Sequence, residues 1–372
     1  MKKYKAIGLM SGTSIDGIDL SMIESDGKNH IELIGQQYQP YSNSFKHKLF
    51  ELINNKQDLF TIKNVENELT QIHADIVNGF LRHNNLKSDD IDLIGFHGHT
   101  IFHNPQNSIT WQIGNGHLLA HQTQIDVVSD FRSNDVAIGG SGAPLVPIYH
   151  YYLFKNILKT KYNNIGVLNI GGVSNLTLFN QDNENSLCGF DVCFGNAPLD
   201  DLVRERINAN YDHNGTLTNT GLVDENLANQ ILENPLFHAN FPRAFDRQDF
   251  VKILAPIKTL ELKNALATYS YILVNALKIA LSKCKIQPQI IFVCGGGRKN
   301  FGLMSTLQQN LKNIEIINID QLNIDGDFIE AQAFGFLAIR HVENLAITFP
   351  NTTGIIENLG SRGGVLYKSY RN

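Results

Sequence analysis

The chain has 372 residues, 42% of them hydrophobic and 18% charged, which is the composition of a globular protein and not of a disordered segment. Its net charge of −5, with no basic run, argues against nucleic acid, whose phosphates select a concentrated Lys/Arg stripe. The four cysteines form no C-x-x-C pair, the apolar stretch from Ala6 to Met10 is too short for an export signal, and no uninterrupted apolar run reaches the roughly 18 residues of a membrane span, so a reducing cytoplasm is expected.

A chain of this length exceeds one hydrophobic core, which predicts two domains with a cleft available between them. In chain order, β-rich runs at 5–10 and 18–24 flank a Gly-containing turn. Helical spacing follows at 44–53 and 65–83, then strands at 91–96 and 125–130. The glycine-rich segment Gly139-Gly140-Ser141-Gly142-Ala143-Pro144 is the strongest punctuation of the chain, and the domain boundary is placed just before it. This gives a first lobe of 1–133, with 350–372 available to complete it, and a second of 134–349. The second lobe reads as strands at 164–170 and 176–180, helices at 199–209, 223–232 and 260–282, a strand at 289–294, a helix at 300–311, a strand at 314–317 and a helix at 328–342. Alternation of this kind predicts α/β layering. Residues 7–23 and 167–179 both read as strand, glycine turn, strand, which a duplicated architecture would produce, as would the hairpins of many α/β proteins.

Three glycine loops carry the chemistry. The first runs Met10-Ser11-Gly12-Thr13-Ser14-Ile15-Asp16-Gly17-Ile18-Asp19: glycines let backbone N–H groups converge on one anion, hydroxyls add donors, and a carboxylate beyond the turn can hold a metal-bound water. A plain hairpin turning at Asp16-Gly17 is the alternative. The second is Asn169-Ile170-Gly171-Gly172-Val173-Ser174-Asn175, and the third runs from Val293 through Gly295, Gly296 and Gly297 to Asn300; each taken singly is a Gly-rich turn. Neither a P-loop nor a G-x-G-x-x-G is present.

In order and spacing these loops resemble the two phosphate motifs and the adenosine motif of the superfamily that joins sugar kinases, heat-shock chaperone ATPases and actin. Within it, the opening Gly8-Leu9-Met10-Ser11-Gly12-Thr13-Ser14-Ile15-Asp16-Gly17-Ile18-Asp19 looks like the anhydro-N-acetylmuramic acid kinases. Gly95-Phe96-His97-Gly98-His99-Thr100, Gln112-Ile113-Gly114, Asp130-Phe131-Arg132, Gly142 to Pro147, Gly189-Phe190-Asp191, Asp327 to Ala331 and Thr353-Gly354 follow in the family's order, so the resemblance runs from residue 7 to about 360. Three stretches depart from the pattern. Val192-Cys193-Phe194 interrupts the usual T-G-P-G-N, His99 stands where the family has glutamine, and Arg243 to Arg247 is only loosely similar to K-S-x-G-R.

The resemblance implies a two-lobed actin-like α/β fold, each lobe a mixed five-stranded ribonuclease H-like sheet flanked by helices, with the active site in the interlobe cleft. It implies ATP and Mg²⁺ as cofactors, a 1,6-anhydro sugar as substrate and a homodimer. Gly12, Thr13, Ser14, Ile15, Asp16, Gly17, Ile18, Asp19, Gly171, Gly172, Asn175, Gly295, Gly296 and Gly297 are expected to hold the nucleotide, with Asp16 and Asp19 near the metal through water. Asp191 is the expected general base, with a helix cap or turn as its alternative role. His97, Gly98, Thr100, Arg132, Asn196 and Glu330 are expected to line the sugar; Arg132 has a surface ion pair with Asp130 or Asp135 as its alternative, and Glu330 a helix-terminal charge. His97, His99 and His103 lack the further ligand of a zinc site and read as pocket-lining or packed residues, and Cys193 as a small filler. A same-fold kinase of another sugar, for instance a plain anhydrohexose, or a catalytically inactive sugar-responsive regulator, are the competing functions.

Overall fold

The computed structural model describes every residue except 1, 13, 158–161, 357–359 and 371–372. Twelve strands are described: β1 (Tyr4–Ser11), β2 (Gly17–Ser25), β3 (Ile31–Pro40), β4 (Leu93–Asn104), β5 (Ile109–Ile113), β6 (Asp126–Ser129), β7 (Asn164–Ile170), β8 (Val173–Asn180), β9 (Asn183–Phe194), β10 (Ile290–Cys294), β11 (Glu315–Asn318) and β12 (Val365–Tyr367). The chain divides into two compact units, residues 1–159 with 328–372, and residues 160–327. The boundary therefore does not fall at 134, where the glycine-rich segment suggested it. Residues 134–159 and 328–349 belong with the first unit because two helices bury themselves there. Tyr149 of the helix Pro147–Ile157 donates its hydroxyl to Gln332 of the helix Ile329–Val342 at 2.8 Å, and both residues are buried.

Unit 1 holds a sheet ordered β12-β6-β4-β1-β2-β3, with β5 also paired to β4; unit 2 holds β11-β10-β7-β8-β9. In each, the first three strands form an antiparallel meander and the next two join parallel on the far side of the first. Both sheets are thus ribonuclease H-like, and the repeated strand-turn-strand of the sequence is the start of each. Five strands hold for unit 2 but not for unit 1, which has seven. There β4 runs on past Gly98 and folds back as β5, while β12 pairs antiparallel with the otherwise uncovered edge of β6. The strands β3, β5, β9 and β12 escape the sequence reading for different reasons. Strands β5 and β12 are short, β3 is a half-exposed edge without a clean apolar run, and β9 opens on the polar residues 183–186 and is broken by Gly189 and Asp191.

The helix Ile329–Val342 crosses β1 and β4 with no room for side chains. A Cβ built on Gly8 would sit 1.8 Å from the Ala331 carbonyl oxygen, and one on Gly95 would sit 2.0 Å from that of Phe334. Gly8 and Gly95, which stand inside motif stretches, are thus packing glycines. Gly95→Ala should cost about 3 kcal/mol or more in urea unfolding, because the clash is with backbone and no rotamer relieves it. Gly79→Ala, in the helix Leu59–His83 with nothing within 4 Å of the added carbon, should stabilise by up to about 1 kcal/mol in the same measurement.

In unit 2 the helix Leu262–Ser282 is the described helix long and apolar enough to cross a membrane by length and composition, and 72% of its apolar window is buried. Its apolar residues join the core of that unit, where Tyr269 packs edge-on against Phe194 at the end of β9.

Candidate functional site

In unit 2 the motif residues gather at one end of the sheet. The turn between β7 and β8 holds Gly171 and Gly172, whose carbonyls accept from the backbone N–H of Asn196 (2.7 Å) and Gly195 (3.0 Å). Asn175 pairs with Asp191 across β8 and β9. Next to them, β10 ends in Gly295 at φ 75°, where a Cβ would stand 2.3 Å from the Asn169 side-chain oxygen. Gly171, Gly172, Asn175, Asp191, Asn196 and Gly295 to Gly297 are therefore neighbours at the C-terminal ends of β7 and β10, where open α/β sheets bind ligands.

Asp191 lies within β9 and not after a strand. Ser174 pairs with Cys193 and Asn175 with Asp191, so Val192 is the extra residue of a β-bulge, a device that re-aims a side chain. The carboxylate oxygen Oδ2 accepts from the backbone N–H of Phe245 at 2.8 Å. Arg243, 7% exposed, clamps the same place: its guanidinium donates to the carbonyls of Asp191 (2.8 Å), Val192 (2.9 Å), Phe237 (3.1 Å) and Ala239 (3.0 Å), between the rings of Phe241 and Phe245. Motif spacing gave no sign of this role, and only the departure of Arg243 to Arg247 from its family's pattern drew notice to the segment. Arg243→Ala should cost about 3 kcal/mol or more, read by urea unfolding, since two buried and two part-buried carbonyls lose this donor. Lysine would not rescue it, having no planar fork.

In unit 1 the turn after β1 is tight: Ile15 N–H donates to Gly12 O at 3.1 Å, and Ile15 sits at φ 56°, an uncommon backbone state for a β-branched residue. Thr13 lies outside the described residues. Ser14 donates its hydroxyl to Asp16 Oδ1 at 2.7 Å, Asp16 is exposed, and Asp19 is half-buried on β2. Burial, and then the charges of Asp16 and Asp19, raise the phenol pKa of Tyr38, so the two carboxylates act on one locality. That locality suits a hydrated cation.

The second cluster of unit 1 forms where β4 bulges, since Leu9 pairs with Phe96 but Ser11 with His99. Arg132 donates to His97 Nε2 at 3.0 Å and to Gly142 O at 2.7 Å, so Nε2 is the acceptor and Nδ1–H of His97 donates to Gly98 O at 2.9 Å. Burial, and then the Arg132 charge, hold His97 well below the usual histidine pKa. Burial raises the Glu330 carboxyl, with Arg132 opposing, which places these two charges in one field. His97, Gly98, Arg132 and Glu330 thus stand together, while Thr100 accepts from Gln112 at 3.2 Å on the β4–β5 hairpin. His97 and Gly98 also border a cavity of 210 Å³ with Glu66, Trp111, Gln112 and Asp130; Glu66 and Trp111 carried no motif signal. Asp135 serves the loop instead of pairing with Arg132: it accepts from Gly142 N–H and the Thr353 hydroxyl, both at 2.6 Å.

Whether these residues fit a nucleotide can be tested at the glycines. A Cβ on Gly17, Gly295 or Gly297 would meet the fold's own atoms at 2.4, 2.3 and 2.4 Å, so packing accounts for them. On Gly12 it meets only Ser14 Oγ at 3.7 Å, on Gly171 nothing nearer than 3.8 Å, and on Gly296 nothing within 4 Å. Nothing in the fold demands glycine there; what glycine provides is backbone open to close approach. Such positions suit phosphate, and the acidic locality of Asp16 and Asp19 suits its magnesium ion.

Two of the three departures from the family pattern fall in the interior. Val192, Cys193 and Phe194 are fully buried, the Cys193 thiol is pushed up to about 12 by burial, and Phe194 packs against Phe250 and Tyr269. Cys193 is a filler, as its sequence context suggested. His99 is also fully buried and bonds Ser11 Oγ at 2.8 Å, which in turn contacts the Tyr41 hydroxyl at 2.7 Å, so it packs beneath the first turn.

Two successive ribonuclease H-like sheets, each with a glycine turn between its first two strands, are the strand arrangement of the actin-like fold class. Residues 4–368 match the family model for anhydro-N-acetylmuramic acid kinase. A relative of that name from Pelagibacter ubique (strain HTCC1062) is 40% identical over 383 residues, covering 99% of this chain and 100% of the relative. One from Zymomonas mobilis subsp. mobilis (strain ATCC 31821 / ZM4 / CP4) is 37% identical over 359 residues, covering 94% and 96%. The chain belongs to the anhydro-N-acetylmuramic acid kinase family. Among solved structures, a type IV pilus PilM–PilN complex (TM-score 0.48, 13% identity, 90% of this chain and 98% of that one) and a ROK family glucokinase from Streptomyces griseus with glucose and AMPPNP (TM-score 0.40, 10% identity, 90% and 99%) are similar too remotely to add to the strand order.

Proposed function

We propose that this chain uses ATP to phosphorylate O6 of 1,6-anhydro-N-acetylmuramic acid while water opens the 1,6 bridge, giving N-acetylmuramic acid 6-phosphate for the recycling of cell-wall sugar. The observation that carries the reading is the carboxylate of Asp191, aimed by a bulge and fixed by Phe245 N–H beside the Gly171-Gly172 turn, in a chain that matches the family over residues 4–368.

Magnesium-bound ATP supplies the phosphoryl group and disperses its charge. The residues of the chain do the rest. Asp191 takes a proton from the water that attacks the anomeric carbon, the task of the basic carboxylate in an inverting glycosidase. No carboxylic acid is needed opposite it, because the departing O6 is capped by phosphorus and not by a proton. Gly12 in unit 1 and Gly171 and Gly296 in unit 2 each offer open backbone of the kind a nucleotide phosphate needs, and Asp16 and Asp19 would hold the hydrated metal. Arg132 and Glu330 face the sugar's substituents, the guanidinium being the match for the lactyl carboxylate. Thr100, Asn196 and neutral His97 supply further polar contacts. The enzyme works in the cytoplasm, where ATP is at hand and its four cysteines stay free thiols, and it works as a homodimer, which light scattering would check.

ADP release with 1,6-anhydro-N-acetylmuramic acid, set against a plain anhydrohexose, tests the reading, with mass spectrometry of the product. Turnover of the muramic sugar to a 6-phosphate carrying one added water is expected. Turnover of the plain anhydrohexose alone would reject it.

A further inference from the structure

Resting on the activity proposed above, we infer that Asp200 is a positioning residue for the phosphate turn of unit 2, acting through the side-chain amide of Asn196.

Asn196 follows β9 and stands before the helix Ala197–Ile207, where asparagine usually caps by accepting a backbone N–H. Here it makes no such bond. Its Nδ2 instead donates to Asp200 Oδ2 at 2.8 Å, one helical turn on, and its Oδ1 is buried without a hydrogen-bond partner. A buried orphan acceptor is costly, so something must hold the amide this way round, and the Asp200 carboxylate is the group that does. The same residue's backbone N–H donates to Gly171 O, next to the Gly195–Gly172 bond. What Asp200 grips is therefore the residue that ties the phosphate turn to the following helix.

The grip depends on charge. An ionised carboxylate only accepts, and selects the Nδ2 end of the amide; a protonated one can donate, and serves Oδ1 equally well, so the amide is free to turn over. Burial pushes the Asp200 carboxyl up to about 6, opposed by the Asn196 hydrogen bond and by Arg204 and Arg247, while Asp212 pushes it further up. Both arginines also pair with Asp201, which blunts their pull. Because the folded protein holds this proton more tightly than the unfolded chain does, stability falls as pH rises from about 4 to about 6. Asp200→Asn should accordingly stay folded at neutral pH.

The full-length protein with ¹⁵N-asparagine reports the amide directly, the Asn196 side-chain signal being assigned by its loss in Asn196→Ala. We expect that signal to shift with a midpoint near pH 6 in the wild type and to stay still in Asp200→Asn. In steady-state kinetics, KM for ATP should rise about twofold from pH 7.5 to pH 5 in the wild type, about half the molecules then holding the amide turned over. Asp200→Asn should show the raised KM at both pH values. A signal that passes through pH 6 unmoved, or a variant that keeps the wild-type KM and its acid rise, overturns the inference. The resonance needs no turnover, so failure to phosphorylate the sugar would count against the activity and not against the pairing.

Discussion

Asp191→Asn is expected to lose about 10²- to 10⁴-fold in turnover of the anhydro sugar while still binding ATP, because the substitution removes a proton acceptor and little else. The amide oxygen of asparagine can still accept from Phe245 N–H, and the bulge at Val192 and the Arg243 clamp rest on main-chain atoms that the change leaves alone. Rate and structure therefore separate cleanly. The measurement is steady-state ADP release alongside nucleotide titration by calorimetry and a thermal melt. Loss of rate with binding and melting unchanged supports the base. A variant that turns over at the wild-type rate would show that Asp191 holds a turn and does no chemistry.

Acid should unfold this protein steeply through unit 1. His73, His97, His99 and His150 are all buried, and burial is the first cause lowering each: His73 and His99 to about 4, His150 to about 3, and His97 well below the usual value. A histidine whose folded pKa is depressed contributes its full stability above the unfolded value of about 6.5, and loses it as pH falls, because the unfolded chain takes up the proton first. With four such groups the slope reaches about 5 kcal/mol per pH unit between roughly pH 5.5 and 4.5, at about 1.4 for each proton. Urea unfolding at a series of pH values measures it. His99→Gln keeps a polar partner for Ser11 and should make the slope shallower by about 1.4 kcal/mol per pH unit, with little change at pH 8. A slope the same in His99→Gln as in the wild type would mean that the acid limb belongs to carboxylates.

One candidate for such a limb is the cluster around Arg298, 2% exposed and paired with Asp320 at 2.8 Å, Asp325 at 3.0 Å and Asp327. Burial raises the Asp327 carboxyl, but Arg298 and Lys299 outweigh it and leave the pKa lowered. Its contribution is present above the ordinary aspartate range and is lost as pH falls below it, at lower pH than the histidine term.

The amino-acid sequence by itself determined the α/β layering, most strands and helices of each sheet, the paired glycine turns and the family, because those features are written in local periodicity and in contiguous motifs that a linear reading can hold whole. It placed Asp191 in a motif but not in a strand. It marked Gly8 and Gly95 as part of nucleotide and sugar signatures, when their want of a Cβ is owed to a helix more than 200 residues away in the chain. The division at 160 and 328, the Arg243 clamp, the His97–Arg132 pair and the burial of Val192-Cys193-Phe194 were decided by tertiary structure alone. Each depends on which distant segment is packed against a given residue, and no local pattern of residue types encodes that neighbour.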